Sequence, residues 1–459
     1  MDFFIDFTEV KKLLTFLNTY IFGPILPPLI LGAGLFLSLK LGFFHLRHPL
    51  LVIKSLGGEN KSRASSIRAL CLALAGTLGV GNIAGVASAI AMGGAGAVFW
   101  MWVSALFSMI LKYGESMLGV KYRQRISEGS REYTGGAFVY MKSHGNSVLA
   151  LIFAILCVVT SISMGSVVQS NAIAVSLEAS FNVPSAICGA VLSVLTIFVI
   201  SSGRGRIAGF TVLAVPVFCL IYILVSLYVI FTNIGQLPGV MYRILSEAFS
   251  FESAAGGVMG YSIVRAMRFG VARGILSNEA GSGTSVTAHA TSDTNSPCRQ
   301  GLFGIAEVFI DTIVLCSMTA FVILIADNSV SGEPAMVTAI RAYSKYIGEI
   351  APGFMSVSVV FFAFATIICW SFYGVEAVRF IVSSYNFKFG FEKTKQLYFF
   401  VYSISVLLGC VVPGGLMWEL SDLSTAVMTI INTSYIIKCT SEIKCETNKF
   451  FEVINTKSG

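Results

Sequence analysis

The chain has 459 residues, of which 55% are hydrophobic and 12% charged, with a formal net charge of +7 and a mean hydropathy of +0.80. A soluble domain carries about 25% charged residues, and half that density cannot cover a water-soluble body of this size. The modest positive charge of a membrane protein reports loop topology before it reports partners.

The apolar residues come in long continuous runs. A membrane barrel shows segments of about 10 residues with alternating character, so the runs predict an all-α integral membrane bundle whose backbone groups pair internally. A span takes about 20 apolar residues. Eleven are predicted, at 21–43, 67–92, 95–120, 149–177, 184–200, 207–231, 253–276, 301–326, 352–382, 396–412 and 415–437. The ten cysteines are scattered, mostly within apolar runs, and read as small packing residues. No cleavable signal peptide is expected.

Residues 1–66 hold the first span, followed by Arg47, Lys54, Lys61 and Arg63. The second span contains Gly76-Thr77-Leu78-Gly79-Val80-Gly81-Asn82-Ile83-Ala84-Gly85. Glycine costs a helix about 1 kcal/mol relative to alanine, so this density predicts an unwound turn that frees backbone groups for a ligand. Gly81-x-x-x-Gly85 also fits close helix packing, while Asn82, a buried amide needing a partner, tips the balance towards binding. Gly79-x-Gly81-x-x-Ala84 imitates a dinucleotide fingerprint, but that motif needs a preceding strand. In the third span, Lys112 and Glu115 are spaced to pair on one face. The fourth has a polar stripe of Ser163, Ser166, Gln169 and Ser170, suited to interhelical bonding or to a pocket.

The seventh span opens with a second glycine cluster, Gly256-Gly257-Val258-Met259-Gly260. The polar run from Ser277 to Gly283 behind it reads as an inner gate or an ordered loop. Asp311, with Thr312, lies midway along the eighth span. An ionisable residue there is a functional candidate, for cation ligation, proton relay or a buried pair with an arginine. In the ninth span, Thr366 and Trp370 are four apart and share a face, with Tyr373 three further on. That set suits the wall of a small pocket or helix packing. The polar tail, 438–459, carries no functional reading.

Lysine and arginine concentrate in alternate loops. The positive-inside bias then places the N-terminus outside and the C-terminus in the cytoplasm of the cell (inner) membrane. With the first span set aside, ten remain, five in 67–231 and five in 232–437. Five is odd, so the second set enters from the opposite side, as in the inverted repeats of secondary transporters. Matching glycine-interrupted segments in the two sets point to a midplane binding site. There is no H-E-x-x-H, G-x-S-x-G or Walker loop, which disfavours an enzyme or an ATP-driven pump. A channel, usually built from rings of repeated subunits, does not fit the five-plus-five layout.

At this point the sequence resembles the alanine or glycine:cation symporters. The resemblance rests on Gly79-Val80-Gly81-Asn82-Ile83-Ala84-Gly85, Phe99-Trp100-Met101-Trp102, Gln169-Ser170-Asn171-Ala172, Ser277-Asn278-Glu279-Ala280-Gly281, Phe309-Ile310-Asp311-Thr312, and Phe362 to Thr366 with Trp370 to Gly374. It covers about residues 32 to 430. It implies a sodium-symporter fold of two five-helix inverted repeats, and alternating-access import of alanine or glycine, including D-alanine, with sodium. Serine transport and proton coupling are the alternatives within the fold.

Residue by residue, the resemblance implies that the turn at Thr77, Gly79 and Gly81 receives the substrate carboxylate. Gln169 and Asn82 bond the amino acid, and Trp370 closes the pocket. Sodium sits between the Ala75 and Leu78 carbonyls and the Thr366 hydroxyl. A second cation uses Asn82, the Thr77 carbonyl and Asp311. The ligands are thus a small amino acid, sodium and the lipid bilayer, with no organic cofactor, nucleic acid or obligatory protein partner. Three residues depart from the pattern: Ala95 and Ala137 replace prolines, and Ala365 replaces a serine, which would remove one cation ligand.

Overall fold

The computed structural model describes residues 8–56, 61–126, 132–249, 261–326, 335–385, 390–412 and 415–458. It is helical almost throughout. Helix α1 (Thr8–Lys40) is followed by α2 (Lys61–Thr77) and α3 (Ala84–Gly93), the two halves of a broken rod. Then come α4 (Gly96–Lys121), α5 (Ser147–Phe181), α6 (Ser185–Ser201) and α7 (Arg204–Thr232). A short α8 (Leu237–Ala248) leads to α9 (Tyr261–Asn278) and α10 (Pro297–Ile325). The remainder is α11 (Ala335–Ile347), α12 (Ile350–Tyr385), α13 (Gly390–Val411), α14 (Gly415–Lys438) and α15 (Thr440–Ser458).

Each of the eleven predicted spans has a helical counterpart. Among the described residues, seven helices (α1, α4, α5, α7, α10, α12 and α13) are long and apolar enough to cross a membrane by length and composition. The described parts of the others are shorter, broken or carry charge within the bundle. Each of the two sets contains a helix that breaks and resumes. Helix α9 stops at Asn278 and a short helix resumes at Val286–His289, as α2 stops at Thr77 and α3 resumes at Ala84. The glycine cluster at 256–260 lies outside the described residues.

Three features differ from the sequence reading. Helix α1 begins at Thr8 rather than 21, because it runs through Pro24 by widening into a π-turn at Ile21–Ile25. Helices α8 and α11 went unpredicted because only one face of each is apolar. The polar tail, 438–459, for which no helix is predicted, forms α15, which docks against α1, α4, α10 and α14.

Helix α4 is the spine. It packs most densely against α9 and α10, while α5 lies on α12 and α6 on α13. Membrane helices approach closely through small residues. A Cβ on Gly270 of α9 would lie 2.2 Å from the Ala97 carbonyl oxygen, and one on Gly304 of α10 would lie 2.9 Å from that of Lys112. The departure at Ala95 also finds its reason here. Its backbone N–H donates to Glu247 Oε2 at 2.5 Å, tying the start of α4 to α8, and a proline has no N–H to give.

The α4–α9 contact has no room for a larger side chain. Overpacking costs about 1–3 kcal/mol. Gly270→Ala is therefore expected to lower the thermal unfolding midpoint of the detergent-purified protein, and Gly270→Val to abolish monodisperse protein. An unchanged midpoint for both would show that the two helices lie further apart.

Candidate functional site

Glycine density breaks the α2–α3 rod. After Thr77 the chain bends at Leu78 and Gly79, makes a single 3₁₀ turn at Val80–Asn82, and becomes helical again at Ala84. The frayed backbone groups are met by side chains from other helices. Trp370 Nε1 donates to the Gly76 carbonyl at 3.2 Å. The Val80 N–H donates to Gln169 Oε1 at 3.3 Å, and Thr319 Oγ1 donates to the Asn82 carbonyl at 2.8 Å. Thr77 turns its hydroxyl back towards the carbonyls of Ala73 and Leu74, at 3.5 and 3.4 Å.

Thr366 of α12 faces the last turn of α2. Its hydroxyl lies 3.0 Å from the Ala75 carbonyl oxygen, 3.3 Å from that of Leu78, and 2.9 Å from that of Phe362. One hydroxyl proton serves only one of these acceptors, so a cage of oxygens remains, fully buried. Such a donor set suits a hard cation. Ala365, also buried, adds no oxygen from its side chain.

A second oxygen-rich cluster lies across the break. Asn82 Nδ2 donates to Asp311 Oδ1 at 2.7 Å and reaches Ser277 Oγ at 3.2 Å. Ser277 and Thr312 both donate to Asp311 Oδ2, at 2.7 and 2.8 Å. Asp311 is buried, and these three neutral donors are its side-chain hydrogen-bond partners among the described residues, so the arginine pairing is not what the structure contains. Asn82 Oδ1 is buried without a partner among the described residues. A buried carboxyl group bonded only by neutral donors among the described residues, beside an orphaned amide oxygen, offers a place for a positive species, a cation or a proton. Asp311 lies on a π-turn, Phe309–Cys316, and π-turns gather at functional sites.

Between the clusters stand Gln169 and Trp370. Gln169 follows another π-turn, Ser163–Val168, whose Gly165 lets Trp370 come close: a Cβ there would lie 2.2 Å from the Trp370 Cβ. Trp370 is fully buried and meets Tyr373 edge to face at 5.4 Å. A Cβ on Gly79 would lie 2.8 Å from Gln169 Oε1, so a side chain there would displace the Gln169 amide from the turn. Gly81 and Gly85 are different. The nearest atom to a Cβ on Gly81 is 3.7 Å away, and none lies within 4 Å at Gly85, so this pair is no packing stripe. Both line a cavity of about 210 Å³ that reaches Gln169 and is flanked by Arg273, Trp418 and Asp422. A second cavity of about 210 Å³ touches the far half of α2 at Ser65, Arg68 and Leu72.

The structure thus brings together Ala75, Thr77, Leu78, Gly79, Gly81, Asn82, Gln169, Asp311, Thr366 and Trp370. Sequence reasoning missed Thr319, because a threonine in an apolar run gives no signal, and left Ser277 undecided between gate and loop. It also missed the surroundings of Lys112, which lies 3.4 Å from Glu115 as the spacing predicts but also 3.3 Å from Glu307 of α10.

The sodium:alanine symporter family model matches residues 7–458. Amino-acid carrier protein AlsT of Bacillus subtilis is 36% identical over 411 residues, which cover 88% of this chain and 84% of that one. Sodium/alanine symporter AgcS of Methanococcus maripaludis is 32% identical over 462 residues, covering 97% and 98%. Among solved structures, MhsT in complex with L-phenylalanine shares the fold, with a TM-score of 0.60 at 15% identity over 85% of this chain and 93% of that chain. With the family matched from end to end, this integral membrane chain is a transporter and belongs to the sodium:alanine symporter family.

Proposed function

We propose that the protein imports a small amino acid, alanine or glycine in either hand of alanine, together with sodium, by alternating access. The observation that carries this reading is the convergence of Thr366 Oγ1 with the Ala75 and Leu78 carbonyls beside a broken helix. A relative carrying the name sodium/alanine symporter over the whole chain supports it.

Sodium is held by those three oxygens. The substrate carboxylate is received by backbone N–H groups around Thr77, Gly79 and Gly81, at the N-terminal end of a half-helix. Gln169 and Asn82 bond the amino acid, and Trp370 limits side-chain size. The set 67–231 moves against the set 232–437, the N-terminus faces outside, and the C-terminus faces the cytoplasm. Uptake of labelled alanine into proteoliposomes tests the reading. Concentrative uptake is expected under an inward sodium gradient and not under an inward potassium gradient; equal uptake under both would refute sodium coupling.

Thr366→Ala is expected to raise the sodium concentration for half-maximal uptake roughly tenfold or more, since a bond to a charged group is worth about 1.5–3 kcal/mol. An unchanged sodium dependence would move the ion elsewhere.

Asp311 supports two assignments, a second sodium or a proton, because nothing cationic bonds it among the described residues. Asp311→Asn separates them. If Asp311 holds sodium, the Hill coefficient for sodium falls towards one and the pH profile keeps its shape. If it carries a proton, the pH dependence of uptake flattens while sodium cooperativity stays. A variant indistinguishable from the parent in both would remove Asp311 from the mechanism.

A further inference from the structure

Helix α15 does more than cover one end of the bundle. Where it begins, Lys121 Nζ at the end of α4 lies 2.8 Å from Glu442 Oε1 and 2.9 Å from Glu446 Oε1. Tyr122 donates its hydroxyl proton to Glu442 Oε1 at 2.6 Å. His144, in the short link between the helix Ala137–Ser143 and α5, completes the group.

The imidazole of His144 has a definite proton arrangement. Its Nδ1 lies 2.7 Å from the Tyr140 carbonyl oxygen. A carbonyl only accepts, so Nδ1 carries the hydrogen. In the neutral ring Nε2 is then a bare lone pair. That nitrogen faces Glu442 Oε2 at 3.1 Å and the Tyr122 oxygen at 3.2 Å. The Tyr122 proton is already given to Glu442, so Nε2 meets two acceptors. Lone pairs held that close repel unless something positive lies among them. The sulfur of Cys439 borders the same point: the His144 nitrogen, the Cys439 sulfur and a Glu442 oxygen all lie within 4.8 Å of one another.

We propose that His144 Nε2, Cys439 Sγ and the Glu442 carboxylate form a binding site for a divalent transition metal of zinc type. The mixed N, S and O donor set is what zinc takes, at about 2.0–2.3 Å from each atom, with water or the Tyr122 oxygen in the fourth position. A thiolate ligand selects against magnesium and calcium. The bond from Nδ1 to the Tyr140 carbonyl is the outer contact that orients a ligating histidine. On binding, the Cys439 thiol proton leaves to solvent, and one thiolate and one carboxylate balance the two metal charges. Lys121 keeps Glu446 as its counterion. The side chains of His144 and Glu442 are 25% and 21% exposed, which leaves the metal a way in.

The ligands come from two parts of the chain. His144 leads into α5, whereas Cys439 and Glu442 join α14 to α15. A bound metal fastens these together and so brakes any movement of one past the other. This braking rests on the transport reading; the metal site does not.

Cobalt(II), titrated into the purified full-length protein, is the probe. One equivalent is expected to give the near-ultraviolet band of a thiolate–cobalt bond, lost on adding zinc. Cys439→Ser abolishes the band, and Cys445→Ser, which removes the exposed cysteine nearby, leaves it unchanged. His144→Ala and Glu442→Gln each weaken cobalt binding by about tenfold or more. No band in the parent protein overturns the proposal in favour of a proton on His144, and a band that survives Cys439→Ser but not Cys445→Ser overturns it in favour of surface binding. In proteoliposomes zinc slows sodium-driven uptake by the parent and not by Cys439→Ser. A parent that binds cobalt at Cys439 but shows no uptake at all counts against the transport reading and leaves the metal site standing.

Discussion

A chain in a bilayer has no water with which to satisfy its backbone, and the whole site follows from one place where the helical solution is abandoned. In hydrocarbon every N–H and C=O must find a partner within the protein. Between Leu78 and Ile83 the helix stops providing them, and α5, α10 and α12 step in with Gln169, Thr319, Thr366 and Trp370. Four side chains from three helices therefore converge on one unwound turn. The geometry of the candidate site is that of the groups repairing this turn, each of them polar and directed at its backbone atoms.

The second break is repaired differently. Glu279, Gly281 and Gly283 all have positive φ, which no helix tolerates. Here α4 supplies charge. Lys112 Nζ donates to Ser285 Oγ at 2.8 Å, and Glu115 Oε2 accepts from the Gly283 N–H at 3.1 Å and from Asn432 at 2.9 Å. Glu307 answers Lys112 and is itself bonded by His289 Nε2 at 2.8 Å, whose other nitrogen meets Gln300 at 2.9 Å. All these side chains are buried. Burying such a network gains little net stability, but removing one member strands its partners at a cost of about 3–5 kcal/mol. It acts as a rivet that fixes the second break to α4 and α10.

Much of this was legible in the sequence, and the reasons are local. Continuous apolar runs gave the spans, and glycine density gave the first break. The spacing of Thr366 and Trp370 put them on one face, and the family resemblance aimed that face at Ala75 and Leu78. What was not legible depends on partners distant in the chain. Glu307 gave no sign of Lys112, 195 residues earlier, since a single glutamate in an apolar run has no periodic signature. The π-turns at Ser163–Val168 and Phe309–Cys316 change helix pitch without changing composition. Helix α15 read as a polar tail because its few apolar residues are covered by surfaces that other segments build: Ile443 is buried against Gly114, and the half-buried Phe451 packs on Phe44 at 5.5 Å.

On the proposed mechanism, the two oxygen clusters let two ligands act on one another without a long path between them. The Thr366 cage joins the end of α2 to α12. The Asp311 cluster joins Asn82 to Ser277, the penultimate residue of α9, and to α10. Both use backbone or side chains between Ala75 and Asn82, a stretch of eight residues containing the unwound turn. On the proposed mechanism, an ion in the first cluster holds α2 against α12, a positive charge in the second holds the same turn against α9 and α10, and the substrate lies on the turn itself. Moving any one of the three shifts the backbone that the other two share. Coupling then needs only a short flexible segment gripped from both sides, and an unbroken helix at this position would supply neither the ligands nor the freedom to pass their positions on.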